Sequence, residues 1–441
     1  MPILLAWTTR AWFIIEPWLR RDRIRFFCLG LLGVSMVLMV MSFATSDENH
    51  QNRFGSLGAD FAGFYYAGQI LNGPTPEKLY DPVAQDEAYY EIFPTVRERE
   101  NLPYVHPPFI AWMFRPLATM QYPTAYGIWL VISAGFYGAG LAVTYKVLPS
   151  MPAKDRNIAS LLAVTFEPFL MECWLGGQLS AVAFLCVALA FYWDTFGRPI
   201  LSGVALGLCL YKPTLVLLLL PMLLVARRWW TLLGVGLSGL SLGLISLLAV
   251  RKTICFSYID TLRGFTGTAT GTGMVRKDWK FIDLNFFFRN LFGEPTKLGK
   301  VLVLTIAVAP VIYLFIAWWR MDRESESRRR LIWASTVTWT MVINVYMGIY
   351  DLIMVVLSVL WTAEVFYRPG KSLDEYFSLF KFLVFLLLIL SWITQPVARL
   401  TGFQLITPVL FALAAFQLWL AWKLPPDIPD LLPDSIGRSQ P

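Results

Sequence analysis

The run from Leu201 to Ala226 is apolar apart from small hydroxyls and one interruption, Tyr211–Lys212–Pro213. That interruption constrains the fold more than any other stretch. An uncompensated lysine at the centre of a membrane helix costs about 2.5–3.5 kcal/mol. Proline withdraws a hydrogen bond and clashes with the preceding turn, so it breaks a helix or opens one. Arg198 precedes the run, and Arg227 and Arg228 close it. The positive-inside rule then places both ends on the cytoplasmic side. The simplest geometry is a short helix up, a turn at Lys212–Pro213, and a short helix down. Each arm is shorter than the roughly 20 residues of a full span. The turn is therefore expected below the outer surface, where the lysine needs an anion.

Composition agrees with a chain committed to the bilayer. The 441 residues are 56% hydrophobic and only 15% charged, against about 25% charged in soluble domains. The net charge of +7 comes from arginines and lysines in short inter-helix loops. It reads as a topology signal, not as a nucleic-acid surface. Cys28, Cys173, Cys186, Cys209 and Cys255 show no C-x-x-C spacing and read as small buried hydrophobes. His50 and His106 are the only histidines, which argues against a histidine-built metal site. No phosphate-cradling, dinucleotide or H-E-x-x-H motif occurs.

The expected fold is an all-α polytopic membrane protein of about ten to twelve transmembrane helices. Residues 1–25 read as a cytoplasmic interfacial segment leading to an uncleaved first helix, and 26–424 as a single membrane domain. The tail 425–441 reads as a disordered cytoplasmic segment. Two long polar loops, about 46–106 and 250–297, fall outside, and the first carries short aromatic, proline-punctuated interfacial helices. The arginine-rich loops fall inside, with both termini.

This topology brings several polar groups to the outer face. Asp60 lies early in the first loop, Gln178 at an outer helix–helix turn, Lys212 at the break, Arg263 in the second loop, and Asp351 at the head of a descending span. His106, between Tyr104 and two prolines, is a further candidate. Carboxylates and cations beside an apolar slot suit a reaction on a lipid-linked phosphate. Cations stabilise a departing phosphate, and a carboxylate takes the proton of an attacking hydroxyl. Each residue has a plainer reading. Asp60 and Asp351 are good helix caps, Lys212 can snorkel or pair, and Gln178 can satisfy its turn. His106 can be structural, and Tyr65 and Tyr66 can anchor at the interface instead of stacking on a sugar.

Several stretches together resemble one family. They are Asp60 to Gly73 (DFAGFYYAGQILNG), Leu79 to Pro82 (LYDP), Tyr104 to Phe109 (YVHPPF) and Gly177 to Ser180 (GQLS). Gly197 to Pro213 (GRPILSGVALGLCLYKP), Leu219 to Trp229 (LLPMLLVARRW) and Tyr350 to Leu352 (YDL) follow in the same order. Spread over about residues 26–365, they resemble glycosyltransferase family 87, membrane transferases that use a polyprenyl-phosphate sugar, typically mannose. The resemblance implies the GT-C fold and a catalytic aspartate in the first outer loop, at Asp60. It also implies a β-linked lipid-phosphate donor converted to an α-glycoside by direct inversion, with basic residues such as Lys212 at the phosphate; from its place in the second loop, Arg263 is expected to help Lys212 there. Partners would be that donor, a lipid or glycan acceptor on the periplasmic side of an inner membrane, and membrane lipids, with no nucleic acid. Asp351 and Gln178 would orient sugar hydroxyls or hold the lysine.

The chain also departs from the family. Leu179 stands where members often carry asparagine, and Asn344 to Ile349 holds no histidine where some members do. The fixed positive charge implies no obligatory cofactor, while Asp81, Asp278 and Asp283 leave room for a divalent metal. Rival readings are a transporter or lipid flippase, whose paired broken helices are not evident, and an inactive family member acting as an assembly subunit.

Overall fold

The computed structural model describes residues 12, 15–47, 49–52, 55–58, 60–96, 103–264, 277–293, 296–321, 324–368 and 373–424. The expected tail 425–441 and residues 1–11, 13 and 14 of the expected interfacial segment lie outside these. The first long helix, α1 (Arg21–Ala44), takes Arg21, Arg23 and Arg25 into its opening turns, so the membrane helix begins earlier than residue 26. In the first loop the chain forms α2 (Phe61–Asn72), α3 (Pro82–Ile92) and α4 (Pro108–Phe114). Then come α5 (Tyr122–Lys146) and α6 (Ala153–Val164), which bends by 52° into a π-helix at Pro168–Leu175. Next is α7 (Ser180–Thr195), and the Lys212 region holds α8 (Pro199–Leu208) and α9 (Leu219–Val225). After α10 (Trp229–Ala249), α11 (Lys252–Gly264) and α12 (Leu284–Phe292) lie in the second loop. The chain ends with α13 (Lys297–Trp319), α14 (Glu326–Val342), α15 (Met354–Tyr367), α16 (Asp374–Thr401) and α17 (Ile406–Lys423).

Among the described residues seven helices are long and apolar enough to cross a membrane, and the bent pair makes an eighth. Two shorter ones run between the same two faces. The Leu179 carbonyl, at the start of α7, accepts from the Tyr211 hydroxyl (3.0 Å). At the other end of α7, Asp194 pairs with Arg228 (3.6 Å) and Arg329 (3.8 Å). On α14, Arg330 donates to the Val147 carbonyl at the end of α5. Beyond the far end, the Asn344 amide donates to the Thr214 carbonyl (2.9 Å). With these two, ten segments among the described residues run between the two faces, and the Lys212 region adds a loop that enters and returns.

That return follows from glycine packing. A Cβ on Gly203 would lie 1.9 Å from the Thr231 carbonyl oxygen, and one on Gly234 2.2 Å from that of Ile200. Further along, a Cβ on Gly207 would lie 2.5 Å from Ser238 Cβ. Small residues four apart let membrane helices touch backbone to backbone. The rising numbers on both partners mean that α8 and α10 run in the same direction. Since α10 starts directly after α9, the segment from Lys212 to Arg228 must come back to the arginine-rich end. Leu210 abuts Gly239, so the turn reaches about half-way along α10. There Lys212 sits in extended backbone (φ −140°, ψ 82°) and Pro213 opens a new 3-10 turn, the geometry proline favours for itself and its predecessor.

Candidate active site

Asp60 is held by the turn between the π-helix and α7. Gly176 carbonyl accepts from the backbone N–H of Asp60 and of Phe61, both at 3.2 Å. Gly177 has φ +76°, and a Cβ there would meet Phe61 Cβ at 2.5 Å, so only glycine fits this left-handed, crowded position. Trp129 Nε1 donates to the Gly177 carbonyl (2.9 Å) and Tyr126 Oη to that of Leu175 (2.5 Å), which docks the turn on α5. The next residue, Gln178, donates from Nε2 to Asp60 Oδ2 (2.9 Å). Oδ1 takes no hydrogen bond among the described residues. The Asp60 side chain makes no capping bond to α2, so it is not the plain helix cap the sequence allowed. Leu179, in place of the family's asparagine, is buried.

The Lys212 ammonium pairs with Asp351 Oδ2. Asp351 is buried on the 3-10 turn that heads α15 and also accepts from Ser180 Oγ (2.7 Å). The lysine therefore has its anion inside the protein. Its Nζ lies 4.6 Å from the Tyr350 ring centroid and 5.8 Å from that of Tyr346, adding cation–π attraction in a dry setting. Where some members carry histidine, Asn344 instead ties α14 to the backbone of the Lys212 turn and accepts from Val345 and Tyr346 N–H.

A second lysine completes the cluster. Phe281 forms a β-bridge with Gly348, and Ile282 N–H donates to the Met347 carbonyl (2.9 Å). Asp283, fully buried, caps α12 and accepts from Met347 N–H (2.9 Å). These bonds fasten the second loop beside Tyr350–Asp351 and bring Lys280 to Glu172 (3.2 Å) on the π-helix. Glu172 also accepts from Gln395 (2.7 Å), which reaches Glu167 at 3.4 Å. Burial works against the Lys280 charge, but Glu172, Asp60 and Glu167 outweigh it and raise its pKa. Tyr350 feels the charges of Asp60 and Glu172 as well as Asp351. The two lysine–carboxylate pairs and Asp60 thus share one electrostatic neighbourhood. Sequence reasoning missed Lys280 and Glu172. A carboxylate inside an apolar run was the available signal for Glu172; Lys280 was one cation among several.

Other candidates fall elsewhere. Arg263 is exposed at the end of α11 and pairs with Asp260 one turn back (3.3 Å), so it does not join Lys212. Tyr65 and Tyr66 are buried, their hydroxyls bonded to the Met120 carbonyl (2.7 Å) and to Tyr104 N–H (3.0 Å). Neither ring lies open at the Asp60 site. The carboxylates left for a metal are committed apart from one another: Asp81 caps α3, Asp278 pairs with Arg289 (2.9 Å), and Asp283 is described above. Among the described residues no three His, Cys, Asp or Glu side chains gather to hold an ion.

His106 packs among Phe64, Tyr104 and Tyr211, with centroids 5.3, 5.8 and 6.3 Å away. Burial, reinforced by the Lys212 charge, pulls its pKa down to about 3, so it is neutral at pH 7 and supplies no cation. An unfolded histidine titrates near pH 6.5. The unfolded chain then binds the extra proton, and this contribution to stability is lost as pH falls from about 6.5 toward 3. His106→Gln is expected to flatten the fall in melting temperature between pH 7 and 5; an unchanged slope would show that His106 titrates normally.

The fold and this cluster define an all-α polytopic membrane protein with an ionic site at the face that carries the two long loops. A family model described as glycosyltransferase family 87 matches residues 104–344, more than half of the chain. The chain belongs to that family and is a membrane glycosyltransferase. The matched span includes Glu172, Gln178, Lys212 and Lys280; Asp60 and Asp351 lie outside it. No curated protein and no solved structure matches the chain.

Proposed function

We propose that this glycosyltransferase moves a hexose, with mannose first among candidates from the family resemblance, from a polyprenyl-phosphate donor to an acceptor hydroxyl. The single observation that carries the reading is Asp60: one carboxylate oxygen is fixed by Gln178 while the other accepts no hydrogen bond among the described residues, and two lysines lie in the same electrostatic neighbourhood. The arginine-rich loops argue for this face being the outer, periplasmic side of an inner membrane. One membrane domain, 26–424, carries the whole reaction.

The donor phosphodiester carries one negative charge. Lys212 and Lys280, each now paired with a carboxylate, exchange part of that pairing for the phosphate oxygens, and Lys280 takes the role expected of Arg263. Gln178 holds Asp60 in place, and Asp351 with Ser180 positions the Lys212 ammonium. His106 and Tyr350 wall the pocket. Asp60 Oδ1 accepts the proton of the acceptor hydroxyl as its oxygen bonds to the anomeric carbon. The bond from that carbon to the phosphate oxygen breaks on the opposite face, with inversion, and its electron pair leaves on the polyprenyl phosphate. Phosphate is a good leaving group, so no general acid is required.

The test is transfer by purified protein in lipid from radiolabelled polyprenyl-phosphate mannose, glucose and arabinose. Transfer from one of them is expected. Donor binding with no transfer from any would favour a non-catalytic assembly subunit.

A further inference from the structure

The proposed reaction leaves Glu167 unused, although a carboxylate buried in a membrane segment is costly. It is 6% exposed, at the bend where α6 gives way to the π-helix. Glu172 follows five residues on. On an α-helix such a pair points about 140° apart. The i→i+5 hydrogen bonding of a π-helix carries it back onto one face. Both glutamates accordingly meet the Gln395 amide of α16, Glu172 at 2.7 Å and Glu167 at 3.4 Å. The other Glu167 oxygen, Oε2, is buried and takes no hydrogen bond among the described residues.

These two carboxylates share one neutral amide and one ammonium, Lys280, 3.2 Å from Glu172. Asp60 and Glu167 also act on Lys280, so one cation serves three carboxylates. Among the described residues neither glutamate has a second ion pair. Asp351 is spent on Lys212, and Arg399 lies over the Trp279 ring at 5.5 Å. Tyr137 donates to the Ala163 carbonyl (3.0 Å), and both it and Tyr350 are phenols, neutral near pH 7. Cys173 is a buried thiol. Carboxylates crowded in this way titrate as a unit and hold a proton between them. The Glu172 side chain is 15% exposed, so a proton reaches the pair from the site itself.

Donor binding upsets this balance, because the phosphate competes for Lys280 and leaves Glu172 facing Glu167 across an amide. We infer that Glu167 and Glu172 form a proton-sharing pair that controls Lys280: it takes up a proton as the donor phosphate draws Lys280 away, and holds Lys280 back when deprotonated. Both are positioning residues, acting on the phosphate through Lys280. The inference rests on the transferase reading, which puts Lys280 at the phosphate, and adds to it a donor affinity set by pH. Proton uptake on binding makes affinity fall as pH rises, by up to about tenfold per pH unit for one whole proton. The donor phosphodiester keeps its single charge across the neutral range and His106 is neutral there, so neither supplies the slope.

The test measures equilibrium binding of polyprenyl-phosphate mannose, glucose and arabinose to full-length protein in nanodiscs without acceptor, so that no transfer intrudes. For the donor that binds, affinity is expected to fall about tenfold or more between roughly pH 5.5 and 8.5. In Glu167→Gln the fall is expected to shrink to less than about threefold. Glu172→Gln releases Lys280 from its carboxylate and is expected to tighten binding several-fold at the alkaline end. A purely structural pair would not do this, since damage to the site weakens binding. Each slope is a ratio within one protein, so partial loss of folded material cancels. An affinity that does not vary with pH, an unchanged slope in Glu167→Gln, or weaker alkaline binding in Glu172→Gln overturns the inference while the transferase reading stands. Binding of no donor at any pH overturns that reading as well.

Discussion

Asp60→Asn is expected to reduce sugar transfer by about 10²–10⁴-fold, the usual worth of a positioned general base, while donor binding persists. Asparagine keeps an oxygen for Gln178 Nε2, which now meets Oδ2 at 2.9 Å. The Gly176 carbonyl still accepts from the backbone at positions 60 and 61. The substitution therefore removes basicity and little else. Turnover should fall with little change in the half-saturating donor concentration, since an interaction made only in the transition state is lost. Labelled-donor turnover together with equilibrium donor binding checks this. Transfer within tenfold of the parent would move the base to another group.

Lys212→Met is expected to cost stability and activity together, and a second substitution should separate the two. It leaves Asp351 buried with Ser180 as its one remaining side-chain partner among the described residues. Breaking a buried pair from one side costs about 3–5 kcal/mol, because the remaining charge stays unpaired. In Lys212→Met/Asp351→Asn no charge is stranded, and thermal stability in detergent should largely recover. Transfer should stay lost, because the phosphate has no ammonium at the turn. Recovery of both would make the pair a purely structural device. Failure of stability to recover would mean that Lys212 holds the hairpin by its aromatic contacts with Tyr346 and Tyr350.

How much of this was legible varies from residue to residue, for physical reasons. Arg198, Arg227 and Arg228 around an apolar run broken by Lys212–Pro213 implied an entering and returning segment, since neither arm can span a bilayer. The parallel packing of α8 on α10 through Gly203, Gly207 and Gly234 agrees. Asp60, Gln178, Lys212 and Asp351 were singled out because polar groups in or beside membrane segments are costly and need partners. They now appear as two bonded pairs, Asp60–Gln178 and Lys212–Asp351. Arg263 was chosen among several loop cations on charge alone, and charge alone does not say where a loop folds. Tyr65 and Tyr66 read as exposed aromatics because α2 was taken to lie on the membrane surface. It is instead packed into the first loop's core, against α4 and the start of α5.

Hydropathy and arginine placement by themselves determined that this chain is an all-α membrane protein, which segments cross, and where one cannot. Those signals are local: a transfer free energy belongs to a stretch of residues, whatever surrounds it. Only the tertiary structure decided which partner each buried charge takes. Lys280 reaches Glu172 because a β-bridge at Phe281–Gly348 and the buried Asp283 carboxylate fasten the second loop to the turn before Asp351. A π-helix, not sequence distance, turns Glu172 toward it. Pairing depends on a few ångströms between segments more than a hundred residues apart, and no pattern within either segment carries that distance.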